Sequence, residues 1–303
     1  MSWSGGDVRL SEPAAPGDFP DPFVLWTGRG YVALATASGG RNIHVRSSDD
    51  LRTWAELPDG LPRLPQWSRP GRTWSPAVLR AGGRWVLWYA TVEPLTGRQA
   101  LSVGVAEAPT GPFEDMSTSP AVFQAELGGS IDPSTFGDRH GGHYLVWKAD
   151  SNAIGRPSTI WGQRLSPDGT ALTGEPVKLL AHDRAWERPL VEAPCLVQAD
   201  DGYLMLYSAG KWNSPGYSIG VAAAPHPLGP WAKLTTERPW ACSDHVAQGP
   251  GGQESFLAAD GALLLAYHAW QPGRARYRDG GTRTLRLGRL ELGSDRVGLS
   301  PLE

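Results

Sequence analysis

The sequence predicts an all-β protein: a five-bladed β-propeller with four-stranded antiparallel blades around a central channel. Three observations carry this. A strand-turn-strand unit opening at an X-Pro or Gly-Pro step recurs five times at nearly constant spacing. Glycine- and aspartate-rich turns separate the β-prone runs. No segment shows sustained 3.6-residue apolar periodicity with helix caps.

The unit opens at Asp21-Pro22-Phe23-Val24, Ser75-Pro76-Ala77-Val78, Asp132-Pro133-Ser134-Thr135, Ala193-Pro194-Cys195-Leu196 and Gly249-Pro250-Gly251-Gly252, with prolines 54, 57, 61 and 56 residues apart. Turns at residues 26–30, 80–83, 138–142, 200–202 and 259–261 lead into second strands at 31–35, 85–89, 144–147, 203–207 and 263–267. The outer halves repeat too. Residues 43–54, 103–113 and 219–231 each read as a strand, a proline, glycine or aspartate turn, and an aromatic opening a fourth strand. A four-stranded blade cannot bury both faces alone, so neighbours must stack. That favours one ring, a single domain over residues 1–303, rather than two domains. Residues 284–292 alternate and are expected as a late strand of blade five, with residues 8–10 as an added edge.

Composition narrows the function. Over 303 residues, 40% are hydrophobic and 19% charged, with a net charge of −3 spread along the chain. No basic stripe suggests nucleic acid, and no apolar run approaches the roughly 20 residues that span a bilayer. The start has neither a basic n-region nor an apolar h-region. A native Met1 therefore implies a cytoplasmic protein, and a removed signal peptide a secreted one. Two cysteines make no disulfide framework, and Cys195, in an apolar stretch, reads as buried. Most of the fourteen tryptophans pack between strands, but flat aromatic faces also stack on sugars.

The starts of the inner strands meet at one end of the channel. That position reads Asp21, Ser75, Asp132, Ala193 (preceded by Glu192) and Gly249 around the ring. Asp-Pro is a common turn dipeptide, and one alone says little. Three carboxylates facing one funnel repel each other, a cost that favours a chemical use for the set.

Asp21-Pro22-Phe23, Ser130-Ile131-Asp132-Pro133 and Val191-Glu192-Ala193-Pro194, in this order and spacing, resemble glycoside hydrolase family 43, from about residue 17 to 292. The resemblance implies an inverting hydrolysis of O-glycosyl bonds. Asp21 would be the general base that activates water, and Glu192 the general acid. Asp132 would hold the acid and favour its protonated form. An inverting pair needs carboxyls roughly 6.5–9.5 Å apart, which a funnel can supply. A free glutamate, at about 4.3, is a poor acid near neutrality unless burial or a neighbouring carboxylate helps.

The resemblance also implies supporting residues. Trp74 would stack on the sugar, or pack along the channel. Arg283 matches the family's late arginine near the base, with Arg286 close by in the same alternation. Phe23 and Trp147 are wall or core residues. Where many members carry a blade-five histidine that helps hold a channel metal, often calcium, this chain has Gln253 and Glu254, and His268 on the next strand is the possible replacement. Gln253 and His268 therefore join the candidate site. No cofactor is required, and a structural calcium stays open. No histidine-cysteine cluster has zinc spacing, and a hard cation would use oxygen ligands. The partner implied is an arabinose- or xylose-containing oligosaccharide or polysaccharide. α-L-Arabinofuranosidase or arabinan-type action comes first, because no appended β-sandwich of the xylosidase kind is present. β-Xylosidase action on the same fold, a sugar-binding propeller without turnover and a protein-interaction propeller are the alternatives. No Gly-x-Ser-x-Gly elbow or phosphate loop appears.

Overall fold

Runs of valine, leucine, alanine and aromatic residues, each closed by a tight turn, form nineteen strands in five antiparallel sheets among the described residues. The structure is a computed structural model that describes residues 3–302. Blade one holds β1 (Phe23–Trp26), β2 (Tyr31–Ala35), β3 (His44–Ser48) and β4 (Ala55–Glu56). Blade two holds β5 (Arg69–Ala81), β6 (Arg84–Glu93) and β7 (Arg98–Ala106). Blade three holds β8 (Ser130–Gly137), β9 (His143–Ala149), β10 (Thr159–Leu165) and β11 (Leu172–Ala181). Blade four holds β12 (Val191–Ala199), β13 (Gly202–Ala209), β14 (Ser218–Ala224) and β15 (Ala232–Lys233). Blade five holds β16 (Gln248–Leu257), β17 (Leu263–Trp270), β18 (Arg283–Leu292) and β19 (Val297–Pro301). Every sheet is a meander in chain order. Among the described residues no helix is long and apolar enough to cross a membrane.

Side chains alternate across each strand, so one strand feeds two interfaces. In β2, Val32 and Leu34 pack toward blade two, and Tyr31, Ala33 and Ala35 toward blade five. In β17, Leu265 and Tyr267 face blade four, and Leu264 and Ala266 face blade one. Five apolar clusters result, one between each neighbouring pair of blades, and the last of them closes the ring between blades five and one.

Two edges depart from regularity. Blade two has three regular strands. Isolated bridges Val105–Glu114 and Leu101–Val122 take the fourth place, because Pro109, Pro112 and Pro120 in that segment cannot donate to a ladder. The expected edge at residues 8–10 is present: Val8 bridges Leu299 in parallel, and Pro13 bridges Arg286.

The inner strands break register near the axis. The breaks fall between Trp74 and Ala77 in β5, Ile131 and Ser134 in β8, Glu192 and Cys195 in β12, and Gly251 and Glu254 in β16. Each break holds a residue in the left-handed region: Ser75 (φ 48°), Asp132 (53°), Ala193 (47°) and Gly252 (57°). Asp21, ahead of β1, has φ 52°. This corrects the expected blade-five register. The ring position is Gly252-Gln253, not Gly249-Pro250. Gly249 (φ 58°) is left-handed too, but it is Gly252-Gln253 that meets Asp21, Ser75-Pro76, Asp132-Pro133 and Ala193-Pro194 around one small void. The proline that follows the left-handed residue elsewhere only exploits an N–H the bulge leaves unpaired.

Candidate functional site

A bulge re-aims the side chain it carries. Here it carries Asp132, Asp21 has the same left-handed backbone just ahead of β1, and Glu192 stands just before the left-handed Ala193. All three line one cavity of about 640 Å³, together with Trp74, Lys148, Trp212, Tyr217 and Arg283.

Asp21 is held from three sides. Its N–H donates to His268 Nδ1 at 3.0 Å, and the Thr36 hydroxyl donates to Oδ2 at 2.6 Å. Arg283 Nη1 lies 3.6 Å from Oδ1. Because His268 Nδ1 accepts, the neutral ring carries its proton on Nε2. Burial first, and then the charge of Arg283, push the His268 pKa down to about 3, so the ring is neutral near pH 7. Arg283 is fixed in turn. Its Nε donates to the Tyr277 hydroxyl at 3.0 Å, its N–H donates to Asp18 Oδ1 at 2.8 Å, and its guanidinium sits 4.8 Å from the Trp212 ring centroid.

Asp132 accepts from Ser75 Oγ at 2.9 Å and from the Ala193 N–H at 3.1 Å. Burial, and then the neighbouring Glu192, raise its pKa to about 7. Glu192 has both oxygens occupied: Tyr217 donates its hydroxyl to Oε1 at 2.8 Å, and Lys148 Nζ donates to Oε2 at 2.8 Å. Lys148 also pairs with Asp150 Oδ1 at 2.9 Å. Burial pulls the Lys148 pKa down, but Glu192, Asp150 and Asp132 outweigh it and the net shift is upward, so the ammonium stays charged. Burial and Glu192 likewise push the Tyr217 phenol well above its usual value, which keeps it a donor.

Glycine lets β16 pass this close. A Cβ on Gly251 would overlap the Tyr217 ring, and one on Gly252 would lie 2.5 Å from His268 Nδ1 and 2.8 Å from Asp21 Oδ1.

The residues expected from sequence divide. Asp21, Asp132, Glu192, Trp74 and Arg283 line the cavity. Phe23 does not, and packs in the core between blades one and two. Gln253 is 1% exposed and borders a small void of about 20 Å³ beneath the acids; its Nε2 donates to the Ala193 carbonyl and its Oε1 accepts from Ser208. His268 is wholly buried behind Asp21. Phe23 thus takes the core rather than the wall alternative, and Gln253 and His268 are corrected from cavity residues to supports beneath and behind the acids. Arg286 is buried against the carbonyls of Ser11 and Val246, which leaves Arg283 as the arginine facing the cavity. Trp147 is buried between blades two and three.

Sequence reasoning missed Lys148, Tyr217, Trp212, Tyr277 and Thr36. A lysine ending an apolar strand one blade from a ring acid was the available signal for Lys148. Trp212 and Tyr217 lie in the loop before β14 and Tyr277 in a short 3₁₀ turn, none of them at a repeat position.

Among the described residues no group of three or more histidine, cysteine, aspartate or glutamate side chains is placed to hold a metal ion, and His268 Nδ1 is taken by the Asp21 N–H.

Comparison with known proteins agrees with this architecture. The family described as Glycosyl hydrolases family 43 matches over residues 10–297. A relative from Aspergillus flavus, called a probable arabinan endo-1,5-alpha-L-arabinosidase A, is 27% identical over 279 residues, covering 82% of this chain and 81% of its own. Xylosidase/arabinosidase 43B of Humicola insolens is 26% identical over 214 residues, covering 67% of this chain and 38% of its own. A solved structure described as a thermostable family-43 glycoside hydrolase superposes with a TM-score of 0.83 at 25% identity, covering 98% of both chains.

Proposed function

The chain belongs to glycosyl hydrolases family 43, and from that premise we propose that it hydrolyses arabinose- or xylose-containing oligosaccharides by a single inverting displacement at the cavity of Asp21, Asp132 and Glu192. The observation that carries this reading is the arrival of three carboxylates from three blades in one cavity, each with different partners.

Asp21 takes the role of general base. The Thr36 hydroxyl and Arg283 orient its carboxylate, which receives the proton of the attacking water. Glu192 takes the role of general acid and gives its proton to the leaving oxygen as the anomeric C–O bond breaks. Water attacks from the opposite face, so the configuration inverts. Asp132, between Ser75 and the Ala193 N–H, supports the acid's strand. No step needs a cofactor, and activity is expected to survive chelation with EDTA. The relative named a probable arabinan endo-1,5-alpha-L-arabinosidase A supports an arabinan-type substrate, and the xylosidase/arabinosidase name of the Humicola insolens relative keeps xylosyl substrates as the second reading.

The test is nitrophenol release from 4-nitrophenyl α-L-arabinofuranoside and β-D-xylopyranoside by wild type and Asp21→Ala. Hydrolysis lost in the variant supports the assignment, and the faster substrate names the sugar. Equal activity of the two proteins overturns the role of Asp21. A folded wild type that releases nitrophenol from neither points to another sugar or a strictly internal cut, and one that also leaves arabinan and xylan uncut while binding them is a binding module.

A further inference from the structure

We infer that Lys148 is a positioning residue for the general acid, locking the Glu192 carboxylate against rotation and tying it to the loop that borders the cavity through Asp150. The inference rests on the reading of Glu192 as the acid.

The pair crosses a blade boundary. Lys148 rises from β9 in blade three, and Glu192 from β12 in blade four. The lysine side chain is 1% exposed. A buried ammonium costs several kcal/mol unless it is paired and hydrogen-bonded. Here two carboxylates satisfy it, at 2.8 and 2.9 Å. With Tyr217 on the other oxygen, Glu192 is gripped at both ends of its carboxyl group.

The second partner gives the grip a reach. Asp150 opens the short 3₁₀ turn Ser151–Ile154, and Asp150 and Asn152 both line the cavity. The Asp150 N–H donates to the Gly129 carbonyl at 2.9 Å, and Ser151 Oγ donates to the Leu127 carbonyl at 3.0 Å, so the turn is anchored to the segment entering β8. A ligand pressing on this turn therefore acts on Glu192 through one lysine.

The charges around the acid make the role measurable. Asp132 of β8, Asp150 of the turn, Lys148 of β9 and Tyr217 before β14 face it, with Asp21 beyond Asp132 and His268 stacked on Tyr217 at 6.0 Å. An ammonium beside a carboxylate favours its ionised form, and a neighbouring carboxylate does the reverse. Removing Lys148 and removing the charge of Asp150 should therefore move the basic limb of the rate profile in opposite directions.

The experiment compares Lys148→Met, Lys148→Arg, Asp150→Asn and Glu192→Ala on a phenyl glycoside and a 2,4-dinitrophenyl glycoside of the preferred sugar. Lys148→Met is expected to lower kcat on the phenyl glycoside by about 10- to 100-fold, within the range general acid help supplies. KM should change little, the dinitrophenyl substrate should be spared, and the basic limb should move to higher pH. Asp150→Asn should move that limb lower, and Lys148→Arg should restore most of kcat. Equal loss on both substrates with a fixed pH profile, or limb shifts of the same sign, overturns the inference. If Lys148→Met does not fold, the sign of the Asp150→Asn shift and the arginine rescue decide. A Glu192→Ala enzyme that still cleaves the phenyl glycoside refutes the acid assignment itself, a separate failure.

Discussion

Asp21 and Asp132 occupy equivalent ring positions, precede the same residue type and share nearly the same φ, yet their surroundings make them different groups. Asp21 faces a guanidinium and a hydroxyl donor. Asp132 faces another carboxylate, and its pKa is pushed to about 7 by burial and then by Glu192. The repeat made the acids legible, because equivalent positions in a ring converge whatever the distance along the chain. Their environments were not legible, since the groups that set them lie outside the repeat. Arg283 is the sharpest case. Its fork reaches Asp21 and Tyr277 while its flat face lies over Trp212. A lysine has one point charge and no plane, so Arg283→Lys cannot serve all three. Its kcat should fall at least about 10-fold even with the charge kept, the equivalent of about 1.4 kcal/mol of barrier. Steady-state kinetics at saturating substrate checks this, and a wild-type kcat would mean that only the charge matters. Trp212, 38% exposed and braced by Trp270 at 6.1 Å, presents a fixed aromatic face at the cavity. Trp212→Ala should raise KM more than it lowers kcat. The reverse pattern would place Trp212 in the transition state rather than in sugar binding.

At the scale of the element, the inner-strand bulge is the device that turns a ladder into a site. Proline was a good signpost for it in four blades, where an unpaired N–H invited one. In blade five the signpost pointed three residues early, because Pro250 follows a second left-handed glycine, Gly249, in its own register break, whereas Gly252-Gln253 is the pair that joins the ring of Asp21, Asp132 and Ala193. The missing regular fourth strand of blade two has the same origin: apolar runs announce strands, but prolines decide where pairing stops. The corrected register yields its own expectation. An alanine at Gly252 would need a left-handed backbone at φ 57° and would press on His268 and on the Asp21 carboxylate. The backbone part costs about 1 kcal/mol, which a propeller of this size tolerates. The displacement of Asp21 strikes the chemistry directly. Gly252→Ala should therefore stay folded, with its melting temperature lowered by several degrees, and lose most of its kcat. Full activity would show that the bulge adapts without moving the base.

For the whole molecule, the recurrence of one unit at nearly constant spacing made the ring readable, but not how it closes. Closure depends on which side chains of blade five face blade one, and the two-residue alternation settles that only once the register is known. The five inter-blade clusters hold the ring, while the axis gathers groups that oppose folding in a pH-dependent way. Asp132 at about 7 and Glu254 at about 8 are both raised, chiefly by burial, from the ordinary carboxylate range. Between about pH 4 and pH 8 the unfolded chain gives up these protons and the native state keeps them. The native state then binds more protons, and stability falls as pH rises through that window. His268, lowered to about 3, acts in the opposite sense: below about pH 6.5 the unfolded chain takes up a proton that the buried ring refuses, and stability falls as pH drops. Glu254 is the cleanest handle, because it faces the small void under the acids rather than the reaction cavity. Glu254→Gln keeps the shape and removes the ionisation. It should raise the melting temperature at pH 8 clearly more than at pH 5, by about 2–4 °C for each kcal/mol recovered. Asp132→Asn should stabilise in the same direction while losing activity, so the two variants separate the cost of gathering acids on the axis from their use. A Glu254→Gln protein that melts lower than wild type at pH 8 would mean that the carboxyl is ionised and well paired in the channel, and that the acid limit of stability is set by Glu254 as well as by His268.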